Sequence, residues 1–413
     1  MAALRYGIIG INGFGNVHLR AAEHLAGEGL ISIEGVAEPF QDRCPEKIEE
    51  LRAGGAAIYG DYREMLEEED RFDIVSVPTP IPLHEPMMLA CVEHGANVML
   101  EKPPAVLVQQ VEEMVAAAEE AGLACQVGFQ NISGEAAREL KRHVAGGAIG
   151  EVKEVTVEGY WRRLDSYYAR AEWAGKVRLG QEWVLDGPLN NPLCHYIHEA
   201  LFIACPEANG TLRPTSVRAE LYHAHPIEGE DIVCARAELE GGAVLHTYLT
   251  LCAPQSHEPR IRLFGEDGTA EWTRGRYAID GKGIECEEEG EPGSTLRLMR
   301  NLARSVSGEE ELMSPLSATV NVIRHNNGCY ESSGAIRRVP AKLINRYKIE
   351  RDGAEDTATE VRGLMEHLHE AAEKRRLLSE TGVEWATPTE RVEVDFDSFD
   401  PAKALEGWGR KSE

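Results

Sequence analysis

The first 130 residues alternate two kinds of apolar pattern. "LRYGIIG" (4–10), "ISIEGVAE" (31–38), "DIVSVPTP" (73–80), "NVMLEKP" (97–103) and "LACQVGF" (123–129) are short apolar runs, which predict strands. Between them the apolar residues take a helical period. Val17, Ala21 and Leu25 follow the first run, and Val108, Val111, Val115 and Ala118 follow the fourth, with Gly122 placed to stop the helix. Such alternation predicts a parallel, doubly wound α/β sheet.

Downstream the pattern changes to longer alternating runs. "VTVEGYW" (155–161), "SVRAELYHAH" (216–225), "DIVCARAELE" (231–240), "AVLHTYLTL" (243–251), "RIRLFG" (260–265) and "TAEWT" (269–273) predict a second sheet, and 315–333 predicts a helix. In the last 75 or so residues Val361, Leu364, Leu368 and Ala372 form a helical stripe opposite Arg362, Glu366, Glu370 and Glu373. The segment from Val392 onward predicts an extended arm. The expected domains are therefore 1–128, 129–340 and a C-terminal extension, 341–413.

Composition narrows the partners. With 413 residues, 43% hydrophobic, the chain can bury ordinary cores, and its formal charge of -27 opposes binding to nucleic acid or an anionic membrane. No apolar run approaches membrane-spanning length and the N-terminus lacks a signal-peptide pattern, so a cytoplasmic protein with small-molecule partners is expected. The nine cysteines are scattered and never spaced Cys-x-x-Cys, which predicts reduced core thiols.

Chemistry first suggests itself in the turn after the first strand, Gly10-Ile-Asn12-Gly13-Phe14-Gly15-Asn16. This is a variant of the dinucleotide fingerprint Gly-x-Gly-x-x-Gly, with Asn12 at the middle glycine and Gly13 beside it to relieve the defect. It follows a strand and opens a helix, whose N-terminal amides suit a phosphate. Glu38 ends the next strand, where a carboxylate accepts ribose hydroxyls and repels a 2'-phosphate; NAD is therefore expected over NADP. Lys102 ends a later strand, just before Pro103, at the sheet edge where such folds bind ligands. A lysine beside a nicotinamide is suited to exchanging a proton with a substrate hydroxyl.

Together these residues resemble one family. "GINGFG", Glu38, "TPIPLH" (79–84), "EKP" (101–103), "GFQN" (128–131) and "GEVKEV" (150–155) follow the order and spacing of the Gfo/Idh/MocA oxidoreductases. The resemblance implies an N-terminal Rossmann domain and a C-terminal α+β domain with a large open, mostly antiparallel sheet. It also implies a homo-oligomer, dimer or tetramer, and hydride transfer between NAD and a secondary alcohol of a sugar, sugar acid or cyclitol. The cofactor set it implies is Gly10, Asn12, Gly13, Phe14, Gly15, Asn16, Glu38, Thr79, Pro80, His84, Glu101, Lys102 and Gln130. Lys102 matches the family's active-site lysine. The motif Asp-x-Gly-x-His-x-x-Asp aligns with 191–198, keeping His195 but placing Asn191 where relatives carry an acid. An amide cannot take a proton, so proton transfer falls to Lys102 and His195.

Substrate contacts are expected from the aromatic and basic stretch 160–175, at Arg162, Tyr168, Arg170 and Trp173, with His198 beside them. The bland alternative for this stretch is packing and surface ion pairs. His195, His198, His223 and His225 could meet around a metal, but no acidic ligand is interleaved and none is expected. Asn191 also motivates two rivals: redox-neutral glycoside cleavage with resident NAD, and a non-catalytic NAD- or sugar-binding regulator.

Overall fold

The computed structural model describes residues 2–67, 72–287, 293–351, 353–395 and 397–406. The chain folds as two compact units. One comprises Met1–Ala105, Gln109–Gly134 and Glu288–Val320; the other comprises Val106–Val108, Glu135–Glu287 and Asn321–Glu413. The partition departs from the expected boundaries, because the chain returns to the first unit late and the extension belongs to the second.

The first unit is a six-stranded parallel sheet built from β1 (Leu4–Ile9), β2 (Ile31–Ala37), β3 (Ala57–Tyr59), β4 (Ile74–Val77), β5 (Asn97–Leu100) and β6 (Cys125–Val127). Their order is β3-β2-β1-β4-β5-β6, the doubly wound arrangement that places ligands at the strands' C-terminal ends. β4 is buried along its whole length and β5 over Val98–Leu100, so both read as plain apolar runs. The first helix, α1 (Gly15–Gly27), buries Leu19, Ala22 and Leu25. They pack in one core with Leu298, Met299 and Leu302 of a helix at Gly293–Val306, which the sequence reading did not anticipate. Each of these leucine and methionine side chains contributes about 1.5–3 kcal/mol on burial.

The second unit carries a ten-stranded sheet, with the strand Val152–Tyr160 between Val244–Thr250 (parallel) and Arg260–Gly265 (antiparallel). Most of the other pairings are antiparallel, as expected. The extension is not only a helix. Ile344–Arg351 and Ala354–Val361 form a hairpin, so Val361 ends a strand, and the helix is Leu364–Lys374. Leu364, Leu368 and Ala372 are buried against a cluster that includes Tyr160, Tyr222 and Tyr248. Of the expected arm, Val392–Glu393 joins the edge of the large sheet and Asp400 caps a short helix at Pro401–Ala404. Phe396 and 407–413 lie outside the described residues.

Candidate active site

The Gly-rich turn is shaped by contacts only glycine permits. Gly10 and Gly13 have φ of 88° and 57°, and a Cβ on Gly15 would lie 2.3 Å from the Gly10 carbonyl oxygen. Phe14, which is exposed, caps α1 without a side-chain hydrogen bond, and Asn16 is exposed in its first turn. Glu38 is buried behind the turn. Its Oε2 accepts from the amides of Ile11 (2.9 Å) and Asn12 (3.3 Å), and its Oε1 from that of Phe40 (2.9 Å). Three amides leave about one of a carboxylate's four acceptor positions for a ribose hydroxyl. Next to Glu38 the half-exposed Phe40 carries the Arg43 guanidinium 4.2 Å over its ring, a platform the sequence reading missed.

The strand ends bring the remaining first-unit residues together. His84 is buried with Nδ1 2.8 Å from the Pro103 carbonyl and Nε2 2.7 Å from that of Thr79. It thereby ties "TPIPLH" to "EKP". Burial draws its pKa down, against the two carbonyls and Glu101. The Lys102–Pro103 peptide is cis. The Thr79 hydroxyl is buried with no partner among the described residues, and its methyl lies 3.5 Å from where a Gly10 Cβ would be. An orphaned hydroxyl beside a glycine-only cradle suits a nucleotide's polar edge. Pro80 is exposed, and Gln130 opens a 3-10 turn after β6.

Lys102 is half-buried immediately after β5. The preceding carboxylate, Glu101, is anchored by three elements: His18 Nε2 on α1 reaches Oε1 at 3.0 Å, the Lys102 amide donates to Oε2 at 3.0 Å, and Gly128 leaves no room for a Cβ against Oε1. His18 Nδ1 meets the Ser76 hydroxyl at 2.6 Å. Neither His18 nor Ser76 was singled out in the sequence.

The expected substrate residues lie in the second unit, but His198 is fully buried there rather than beside the others. Tyr168 packs its ring 4.9 Å from that of His225, and its hydroxyl is buried without a partner among the described residues. Burial and Asp231 push that hydroxyl's pKa well up. Arg170 stacks on Tyr167 (3.7 Å) and Trp173 (4.7 Å), donates to the Tyr167 carbonyl, and lies 4.0 Å from Asp186. Arg162 is committed to the extension hairpin, through the Tyr347 hydroxyl (2.6 Å) and Glu360 (3.8 Å). Asn191 and half-buried His195 sit at the start of the helix Cys194–Ala204.

The histidines do not assemble as four. His198 is fully buried, and burial with the Lys141 ammonium nearby pulls its pKa down to about 3. His225 instead belongs to a group with Asp231 and Cys252. There the Asp231 oxygens accept from the amides of Ala224 and His225, and Oδ2 lies 2.8 Å from His225 Nδ1.

The family model described as "Oxidoreductase family, NAD-binding Rossmann fold" matches residues 4–129, and the one described as "GFO/IDH/MocA C-terminal domain" matches 137–271. The chain belongs to the GFO/IDH/MocA family. An inositol 2-dehydrogenase of Rhodococcus jostii is 33% identical over 36% of this chain and 40% of its own length. An alpha-N-acetylgalactosaminidase of Shewanella oneidensis is 30% identical over 32% of this chain and 29% of its own. The chain thus matches less than half of these relatives. A scyllo-inositol 2-dehydrogenase (NADP(+)) of Bacillus subtilis is 28% identical over 64% and 75%. Among solved structures, the WlbA dehydrogenase of Bordetella pertussis, in complex with NADH and UDP-GlcNAcA, superposes with a TM-score of 0.66 at 25% identity, covering 80% of this chain and 96% of that one. In this GFO/IDH/MocA chain the Rossmann fold and the mixed second sheet are those of the family, and no helix among the described residues is long and apolar enough to cross a membrane.

Proposed function

We propose that the protein is an NAD-dependent dehydrogenase acting on a secondary alcohol of a sugar, sugar acid or cyclitol. The observation that carries this reading is Lys102 at the end of β5, its neighbour Glu101 fixed by His18 and Gly128. Bound NAD supplies the hydride acceptor. The turn from Gly10 to Asn16, Glu38, Thr79 and the α1 N-terminus hold the dinucleotide, with the last acceptor position of Glu38 taking a ribose hydroxyl. Lys102 takes the proton of the hydroxyl being oxidised, and His195 is the second proton-carrying group. Tyr168, Arg170, Trp173 and Asn191 bind the polyol through a buried hydroxyl, a stacked guanidinium, an aromatic face and an amide. The test is NADH absorbance with NAD and a panel of inositols, sugars and sugar acids. Polyol-dependent NADH supports the reading, and none with any of them opposes it.

A second reading is redox-neutral glycoside cleavage with NAD retained. It is favoured by Asn191, which cannot exchange a proton, and by the name of the Shewanella relative. Release of product from an aryl glycoside with no net NADH distinguishes it.

A further inference from the structure

Three neighbouring strands of the second sheet have ends that meet at one buried point. Pro214–His223, Ile232–Leu239 and Val244–Thr250 pair antiparallel, and their register places His225 just past the first, Asp231 just before the second and Cys252 just past the third. Backbone bonds hold that register at the point itself: the Asp231 amide donates to Tyr222 O (2.9 Å) and the Leu251 amide to Asp231 O (2.8 Å). His225 and Asp231 are 0% exposed and Cys252 is 1% exposed, and the three donor atoms they offer all lie within 4.8 Å of one another. His225 Nδ1 stands 2.8 Å from Asp231 Oδ2 and 3.4 Å from Cys252 Sγ.

The far nitrogen of the ring fixes what Nδ1 offers. Nε2 lies 3.1 Å from the Arg163 carbonyl, which only accepts, so Nε2 carries a hydrogen and the neutral ring presents a lone pair at Nδ1. A lone pair and a carboxylate at this distance need a cation between them. A proton serves these two groups, whereas a metal ion serves all three. The surroundings match those of a metal shell: an imidazole bound to a backbone carbonyl through its other nitrogen, and a carboxylate held by the amides of Ala224 (2.9 Å) and His225 (2.8 Å). Tyr168 is a separate sign. Its hydroxyl is buried without a partner among the described residues and its ring stands 4.9 Å from that of His225. After burial itself, the charges of Asp231 and Cys252 act on that hydroxyl most strongly.

We propose that His225, Asp231 and Cys252 bind one Zn2+ ion, with a water in the fourth position that gives the Tyr168 hydroxyl its partner. Thiolate, imidazole and carboxylate together are a zinc donor set, and the two anionic ligands balance the ion's charge where solvent does not reach. Cys252 gives up its thiol proton on binding, and the ion displaces the proton between His225 and Asp231. Tetrahedral bonds of about 2.0 Å to nitrogen and oxygen and about 2.3 Å to sulfur place nitrogen and sulfur about 3.5 Å apart, and nitrogen and oxygen about 3.3 Å apart. The Nδ1–Sγ spacing already fits, and the Asp231 carboxylate withdraws by about 0.5 Å. The ion serves the fold: it joins three strand ends to the Arg163 carbonyl and the Tyr168 ring, and so steadies the stretch 160–175.

The experiment compares wild type with Cys252→Ser and with Cys234→Ser, which changes another buried cysteine, as full chains expressed with zinc and dialysed against metal-free buffer. Elemental analysis should find about one zinc per chain in wild type and Cys234→Ser, and less than about a tenth of that in Cys252→Ser. Co(II) in place of zinc should give wild type the visible bands of a four-coordinate ion and a sulfur-to-cobalt charge-transfer band. If Cys252→Ser does not fold, the cobalt spectra decide: charge transfer in both wild type and Cys234→Ser supports the site, and its absence overturns it. Wild type without zinc and without that band, or Cys252→Ser holding as much zinc as wild type, would overturn the proposal and leave a proton alone between His225 and Asp231.

Discussion

His18 Nε2 lies 3.0 Å from Glu101 Oε1, which ties the first helix to the strand end carrying Lys102. A carboxylate accepts, so Nε2 carries the ring hydrogen and the Ser76 hydroxyl donates to Nδ1 at 2.6 Å. Both ends of the contact are buried. His18→Leu removes one of the groups that compensate the Glu101 carboxylate and should lower stability by about 2 kcal/mol in urea unfolding. It should also reduce turnover by loosening the backbone at Lys102. His18→Gln, which can still donate, should lose less on both counts.

Gly128 tests the same anchor from the opposite side. An alanine Cβ would stand 2.3 Å from Glu101 Oε1, and that oxygen already meets His18. Gly128→Ala should cost about 1–3 kcal/mol, as overpacking does, with a matching fall in melting temperature and in kcat. Wild-type stability would mean that Glu101 can move freely.

Glu38 is expected to matter for affinity. Its oxygens face three backbone amides, and the amide of a glutamine would set a donor against one of them. Glu38→Gln should weaken NADH binding about tenfold by fluorescence titration. Glu38→Ser, without the charge, should narrow the preference for NADH over NADPH.

Two buried groups make opposite predictions for stability against pH. Burial lowers His198 to about 3 from 6.5, so the unfolded chain binds the extra proton between those values. Its contribution is full above pH 6.5 and is lost as the pH falls, by about 1.4 kcal/mol per unit. Burial raises Glu230 to about 8 from 4.5, so here the folded state keeps the proton, and the contribution is full below 4.5 and is lost as the pH rises towards 8. By calorimetry, the melting temperature of His198→Asn relative to wild type should improve as the medium becomes more acid than pH 6.5. That of Glu230→Gln should improve as it rises from 4.5 to 8.

What the sequence made legible follows from burial. The short β3 has no fully buried position and was missed. The other five strands of the first sheet lie in hydrophobic runs separated by helical repeats, so their succession along the chain and the position of Lys102 could be read directly. The hairpin 344–361 could not, because "INRYKIER" has no fully buried position and so shows no apolar face. The helix Gly293–Val306 hid for another reason: its apolar residues are interspersed with Arg297, Arg300 and Arg304, and its partner α1, Gly15–Gly27, lies at the other end of the chain's sequence. At the site, His18 reads as an ordinary histidine on an apolar helix face, and its partners are 58 and 83 residues away. Asp186 stands five residues before Asn191 in the turn-rich "LDGPLNNP", which signals a turn without showing which side chains it joins. Histidine spacing suggested a meeting of four that tertiary packing does not make: His198 goes to the core near Lys141, and His225 to Asp231.

In the proposed reaction Lys102 exchanges the proton of the alcohol. Lys102→Met keeps the length and apolar stem of the side chain and removes its proton, so it isolates that role. NADH affinity and a single turnover of NAD with the active polyol should be followed on both proteins. Affinity should match wild type, while NADH formation should slow by about 100-fold or more. A variant that binds NADH normally and forms it at the wild-type rate would contradict the account.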